Sequence, residues 1–233
     1  MTAPAALHFE RVVDLSRPLN SGEHQHPWFH YDARVESIVA DPDSVPPEGR
    51  WYVVTQLALS GHAGTHVEAP LHAVAGGASI GELPVTLFFG EAAILDLSHV
   101  PSAEPIDLSC LQAAVAAAGG VRSGDIVFLR FDWDGRVEQP EGPPEYPPYP
   151  TTHALQWLVD QGVKLVGIDT PGLEMRGNPA LPNHHALLDN GVPLIESLVN
   201  LDALRQSRVF VFAVPVPAYG TDAMPLRVLA FEG

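Results

Sequence analysis

Ser60-Gly61-His62-Ala63-Gly64-Thr65-His66-Val67-Glu68-Ala69-Pro70-Leu71-His72 is the stretch from which the rest of the chain is read. It sets three imidazoles and a carboxylate, His62, His66, Glu68 and His72, within eleven positions. Each of these side chains can ligate a metal ion or move a proton. Imidazole beside carboxylate suits a hydrolytic ion better than a purely structural one. The intervening residues are small: Ala63, Gly64 and Ala69 let the backbone fold closely around an ion. Pro70 stops any helix from running through to His72. The stretch is therefore expected as a tight loop entered from a strand, Val53 to Leu59, and not as one regular helix. A surface loop merely rich in histidine is the plain alternative, and four potential ligands this close weigh against it.

Upstream, residues 8–15 form a short apolar strand candidate. Glu23 to Tyr31 follow as a loop dense in histidine and aromatics, where Trp28 and Phe29 offer flat apolar surface for an aromatic ligand. Core packing accounts for Trp28 equally well. Residues 41–50 are a loop by their proline content. Downstream, Gly90 to Leu97 and Asp125 to Phe131 read as strands, and Asp107 to Ala118 as a helix stopped by Gly119-Gly120. The segment from Asp132 to Pro150 carries six of the 23 prolines and reads as a long loop, functional or mobile. Thr151 to Gln161 is an amphipathic helix capped by a threonine. Val163 to Ile168 is a buried type of strand, His184 to Asn190 a short helix, Val192 to Glu196 a strand and Val209 to Val216 another. Helices and strands alternate only in the middle of the chain. The class is thus mixed α and β rather than a doubly wound sheet.

A second set of candidate ligands lies in this distal half. His184-His185 sits on the expected helix, and Glu196 follows between Ile195 and Leu198. A carboxylate entering apolar surroundings needs a partner or a metal. With the first cluster, this suggests one metal site assembled from both halves of the chain. Other chemistries lack their motifs: there is no Gly-x-Ser-x-Gly elbow and no phosphate loop. Cys110, the single cysteine, sits on an expected helix without a nearby base and reads as structural.

Composition sets the bounds. The 233 residues are 46% hydrophobic and 17% charged, with no internal repeat and no clean linker, so one domain spanning 1–233 is expected. The net charge of −16 argues against nucleic acid or an anionic membrane as partner. No apolar run is long enough for a membrane span, and the first residues lack signal-peptide character, which makes the cytoplasm the expected location. Apolar strands and proline-rich loops lead us to expect a homo-oligomer of even symmetry.

His62-Ala-Gly-Thr-His66-Val-Glu68-Ala-Pro70-Leu-His72 closely resembles the His-x-Gly-Thr-His-x-Asp-x-Pro-x-His signature of the cyclase superfamily of metal-dependent hydrolases, which contains bacterial kynurenine formamidases and isatin hydrolase. Val166 to Pro171, His184 to Leu198 and Tyr219 to Arg227 resemble further segments of that family, so the likeness covers nearly the whole chain. It implies an α+β fold, a swivelling β/β/α single domain with a mixed sheet and flanking helices. It also implies that His62, His66 and Glu68 hold one divalent ion, zinc or manganese. Glu68, His184 and Glu196 would hold a second in the formamidase-like members, and His72 would be the catalytic acid/base. Trp28 and Phe29 would contact the substrate. The implied activity is metal-assisted hydrolysis of a C–N bond in a small aryl formamide or cyclic amide. Rival readings are a lactone hydrolase or polyketide cyclase on the same fold, and a non-catalytic metal- or ligand-binding protein. One position departs from the signature: Glu68 stands where the family has aspartate, extending the carboxylate by about 1.5 Å. For His72, its place beyond Pro70 and its apolar neighbours Leu71, Ala73 and Val74 favour proton transfer over metal ligation.

Overall fold

The computed structural model describes residues 8–21, 24–26, 29–37, 53–133 and 146–233. Trp28, the expected loop at 41–50 and most of that between Asp132 and Pro150 lie outside the described residues. Fourteen strands are described: β1 (Arg11–Asp14), β2 (His24–His26), β3 (Phe29–Ser37), β4 (Val53–Leu59), β5 (His66–Glu68), β6 (Phe89–Asp96), β7 (Pro105–Ile106), β8 (Ile126–Arg130), β9 (Tyr149–Pro150), β10 (Leu165–Ile168), β11 (Leu194–Glu196), β12 (Arg208–Phe212), β13 (Ala223–Pro225) and β14 (Leu229–Glu232). Three α-helices join them: α1 (Leu108–Ala117), α2 (Thr152–Asp160) and α3 (Pro182–Leu188).

Nine of the strands form one mixed sheet in the order β1-β14-β12-β6-β8-β10-β11-β5-β13. Its centre is parallel, with β6, β8, β10 and β11 side by side and the helices crossing between them. This is where strands and helices alternate in sequence, as the pattern predicts. Ile126, Val127, Phe128 and Leu129 are all fully buried, the mark of a central parallel strand covered on both faces. The helices lie against one face. Leu111, Leu155, Leu158 and Leu187 pack there on Leu95, Val127, Leu129 and Val166. The other face is closed by the sheet itself, whose antiparallel flank brings Val13, Val211 and Ala230 onto Ile94, Ile126 and Phe128. Ser16 bridges Leu198, so the sheet curls until the chain after β1 meets the chain after β11. Among the described residues the fold is a curled mixed sheet with three flanking helices, and its α+β class is as expected. β2, β3 and β4 form a separate three-stranded sheet.

Local chemistry sets the helix ends. Asp107 caps α1 by accepting from Cys110 N at 2.8 Å, and Thr151 caps α2 by accepting from Ala154 N at 3.3 Å. Several boundaries differ from expectation, and proline is the common cause. The strand expected over Val209 to Val216 ends at Phe212, ahead of Pro215 and Pro217. Helix α3 begins at Pro182, earlier than His184, because a proline without its N–H fits the first helical position. The stretch from Ser60 to His72 is also not loop throughout. His66–Glu68 is a strand, and Pro70 opens a short 3-10 helix, Pro70–His72, instead of merely interrupting one.

Candidate metal centre

Strand β5 is the frame of the site. Its alternation places His66 and Glu68 on one face while Val67 enters the core fully buried. Antiparallel pairing with β11 sets Glu196 directly opposite His66, and pairing on the other side with β13 sets Ala223 opposite Glu68. Two close approaches hold the preceding loop to this frame. A Cβ on Gly61 would lie 2.6 Å from the carbonyl oxygen of Ala223, so only glycine passes beside β13. Gly64 has φ +61°, and Thr65 Oγ1 donates to the Ser197 carbonyl at 2.6 Å.

Sequence-distant ligands therefore meet. His62 Nδ1 lies 3.0 Å from Glu68 Oε1, His66 Nε2 3.6 Å and His72 Nε2 3.6 Å from the same oxygen. His184 Nε2 is 3.3 Å from the other oxygen, Glu68 Oε2. Glu196 reaches His66 Nε2 and His184 Nε2, each at 3.7 Å. All six candidate ligand and acid/base residues are thus gathered around Glu68. His185, also singled out with His184, points away: it is exposed and pairs with Asp189 on its own helix at 3.0 Å. Of the substrate candidates, Phe29 begins β3 and Trp28 falls outside the described residues.

Each of the four histidines has its second ring nitrogen anchored to an oxygen acceptor. His66 Nδ1 bonds to the Gly64 carbonyl at 2.9 Å, and His184 Nδ1 to Glu174 Oε1 at 2.9 Å. His62 Nε2 and His72 Nδ1 both bond to Asp222 Oδ2, each at 3.0 Å. A carbonyl or carboxylate oxygen only accepts, so these nitrogens carry the hydrogens and the opposite nitrogens are bare in the neutral rings. The bare nitrogens face inward. His62 Nδ1 and His66 Nε2 stand 3.2 Å apart beside the Glu68 carboxylate, so a proton or a metal ion is needed between them.

Burial sharpens the demand. Glu68 and His66 are 2% and 4% exposed, and Glu68 Oε2 and Glu196 Oε1 are buried oxygens without a hydrogen bond. Buried, unsatisfied carboxylate oxygens are costly unless a cation meets them. The imidazoles respond to the same field. Burial alone would push His62 down, but the bonds and charges of Glu68 and Asp222 outweigh it and bring the ring up to about 9. His184 is likewise pushed down by burial and brought up to about 11 by Glu174, Glu196 and Glu68. Burial would raise Glu68, yet the imidazoles of His184, His62, His66 and His72 gathered around it hold it well below the usual carboxylate range. The donor set of imidazole nitrogens and carboxylate oxygens fits a divalent ion such as zinc or manganese.

One expectation about His72 is corrected. Its sequence neighbours are apolar, but the ring itself lies between the carboxylates of Glu68 and Asp222. It is 24% exposed against 4% for His66, so it sits toward the mouth of the site. Two functional residues escaped the sequence reading. Asp222 lies in the Tyr219-to-Arg227 segment that resembles the family, yet nothing in its neighbourhood shows that it faces histidines 150 and 160 positions away. Glu174 has no pattern at all around it. Its Oε1 accepts from the backbone N–H of Asn183 and of His184 at 2.8 Å each, besides the His184 ring. Asp169, at the end of β10, accepts from Phe131 N and Asp132 N and fixes the chain after β8. Burial pushes its carboxyl up to about 7 against those N–H groups.

Comparison with known proteins gives the family of the chain. Residues 13–175 match the Cyclase family, described as "Putative cyclase". A kynurenine formamidase of Salinibacter ruber is 36% identical over 176 residues, covering 74% of this chain and 77% of the relative. One of Bacillus cereus is 26% identical over 220 residues, covering 93% and 95%. Among solved structures, isatin hydrolase A from Ralstonia solanacearum superposes with a TM-score of 0.75 at 26% identity, covering 96% of this chain and 92% of that one. On the match over 13–175 and the likeness to these hydrolytic enzymes, the chain belongs to the Cyclase family.

Proposed function

We propose that the protein is a metal-dependent amidohydrolase that cleaves the C–N bond of a small aryl formamide or cyclic amide, N-formylkynurenine-like or isatin-like. The observation that carries this reading is the convergence of four inward-facing imidazole nitrogens on the buried carboxylate of Glu68, with the carboxylate of Glu196 beside them. A divalent ion bound there would acidify a water and polarise the substrate carbonyl. His62, His66 and Glu68 Oε1 would hold one zinc or manganese ion. The two oxygens of Glu68 face different histidines, which supports a bridging role, with His184 and Glu196 completing a second ion site. The longer glutamate thus keeps both groups of ligands within reach. His72, at the mouth of the site, would pass a proton to the leaving nitrogen. Trp28 and Phe29 remain the proposed substrate contacts.

The same reading takes residues 1–233 as one catalytic domain, supported by the pairing of β1 with β14 at opposite ends of the chain. It takes the enzyme as a cytoplasmic homodimer or homotetramer acting on a small molecule. No helix among the described residues is long and apolar enough to cross a membrane.

The test is metal analysis of the purified protein followed by hydrolysis assays with N-formylkynurenine, isatin and simple lactones. Bound zinc or manganese with turnover of an amide is expected. A metal-free protein that metal does not activate, or one that opens only lactones, would overturn the assignment.

A further inference from the structure

Asp222 touches both working halves of the site through one atom. Its Oδ2 lies 3.0 Å from His62 Nε2 and 3.0 Å from His72 Nδ1. The residue stands just before β13, and its carbonyl accepts from Ala69 N at 2.8 Å, which ties its backbone to the end of β5. Its side chain is 44% exposed. A carboxylate at a half-open rim that spends one oxygen on two imidazoles has little value for stability. Ion pairs at exposed sites contribute little.

A neutral imidazole has two tautomers, and only one of them leaves the useful nitrogen bare. For His62 the useful nitrogen is Nδ1, which faces His66 and Glu68. For His72 it is Nε2, which faces Glu68. Without an acceptor on the outer side, each ring is free to place its hydrogen on the inner nitrogen or to rotate away. Resting on the reading of His62 as ligand and His72 as proton carrier, we propose that Asp222 is a positioning residue for both. One carboxylate oxygen holds His62 as the Nε2–H tautomer and His72 as the Nδ1–H tautomer, and so links metal retention to proton transfer.

The experiment uses Asp222→Ala in the full chain, stripped of metal and reloaded with zinc. Because the backbone bond to Ala69 does not involve the side chain, the variant should keep the wild-type circular dichroism. Zinc affinity should fall about 10–100-fold, the usual loss when an outer partner of a ligating histidine is removed. Long-range 1H–15N imidazole spectra of the zinc-loaded, 15N-labelled protein should show His72 as Nδ1–H in the wild type and lose that pattern in the variant. At saturating zinc, kcat should fall at least about tenfold. The same substitution placed on His72→Ala should change kcat less than about twofold, since its effect runs through that ring. A folded Asp222→Ala protein with wild-type zinc affinity, or with the His72 tautomer unchanged, overturns the inference. So does an undiminished loss of kcat in the His72→Ala background. If His62→Ala binds zinc as tightly as wild type, the ligand assignment fails, and the inference with it. A weakened His62→Ala beside an unaffected Asp222→Ala overturns the inference alone.

Discussion

At the scale of single residues, the two central histidines of the motif should separate cleanly. His66 is buried, with its inner nitrogen 3.2 Å from that of His62 and 3.7 Å from Glu196. His66→Ala should lose most bound metal and activity together; full metal content in that variant would contradict its role. His72→Ala should keep near-normal metal content while kcat falls by about 10²–10⁴, the range for a lost general acid/base. If the variant emerges metal-free, His72 is a ligand instead. Protonation adds a second prediction. In the metal-free protein His62 is raised to about 9 and His184 to about 11, so both rings carry a proton at pH 7. Ligation needs them bare, so loading the site at that pH should release about two protons, measurable by calorimetry in buffers of different ionisation enthalpy. The apparent affinity should rise from pH 6 to 8. The stability of the metal-free protein should run the other way. Both folded values lie above the unfolded value near 6.5, so the folded state binds more protons. That contribution is complete below about pH 6.5 and is lost as pH rises through about 9 for His62 and about 11 for His184. An affinity flat in pH would sink the protonation argument.

At the scale of elements, the site depends on β5 lying between β11 and β13, and Gly61 is the point where the loop passes closest. A Cβ there meets the Ala223 oxygen at 2.6 Å, and backbone cannot step aside as a flexible side chain would. Gly61→Ala should therefore cost about 1–3 kcal/mol, as overpacking does, and loosen metal binding by shifting β13 and with it Asp222. Thermal melts with and without zinc would show both effects, and an unchanged melting temperature would remove the argument. This pairing is also where sequence reading ran out. The parallel centre was legible because Ile126 to Leu129 and Leu165 to Ile168 are continuous apolar runs, and α1 and α2 because Asp107 and Thr151 cap apolar periodicities. The candidate ligands were legible because His62, His66 and Glu68 fall in one short motif and His184 and Glu196 flank a single distal segment. Asp222 and Glu174 were not, because their roles exist only once β13 is laid against β5 and the Glu174 loop against α3. No local pattern in either segment specifies that contact. Proline displaced the predicted ends at Phe212, Pro182 and Leu194, where a missing N–H decides between continuing and stopping an element.

At the scale of the whole molecule, the separate β2-β3-β4 sheet is the feature that a single chain leaves unexplained. Thr55 through Leu59 on β4 are all exposed, with Leu57 at 58% and Leu59 at 37%, so the described part of this strand buries neither face. A small sheet standing apart from a core is marginal in water unless something packs on it. Leu57 and Leu59, two residues apart, point to the same side of the strand and gain little from solvent. The strand leads directly into Ser60 and the metal loop, so whatever orders it also steadies the entrance to the site. The net charge of −16 keeps identical chains apart by repulsion unless apolar contact offsets it. In the proposed homodimer a second copy would cover the β4 face and form an isologous pair. Light scattering at micromolar concentration should then report about 50 kDa, twice the 25.0 kDa chain, or about 100 kDa for a pair of pairs. Leu57→Glu, which adds a charge at the centre of that face, should shift the mass toward 25.0 kDa and lower the melting temperature. A wild-type protein that runs as a monomer, or a Leu57→Glu variant that keeps the full assembly, would show that β4 is not the contact.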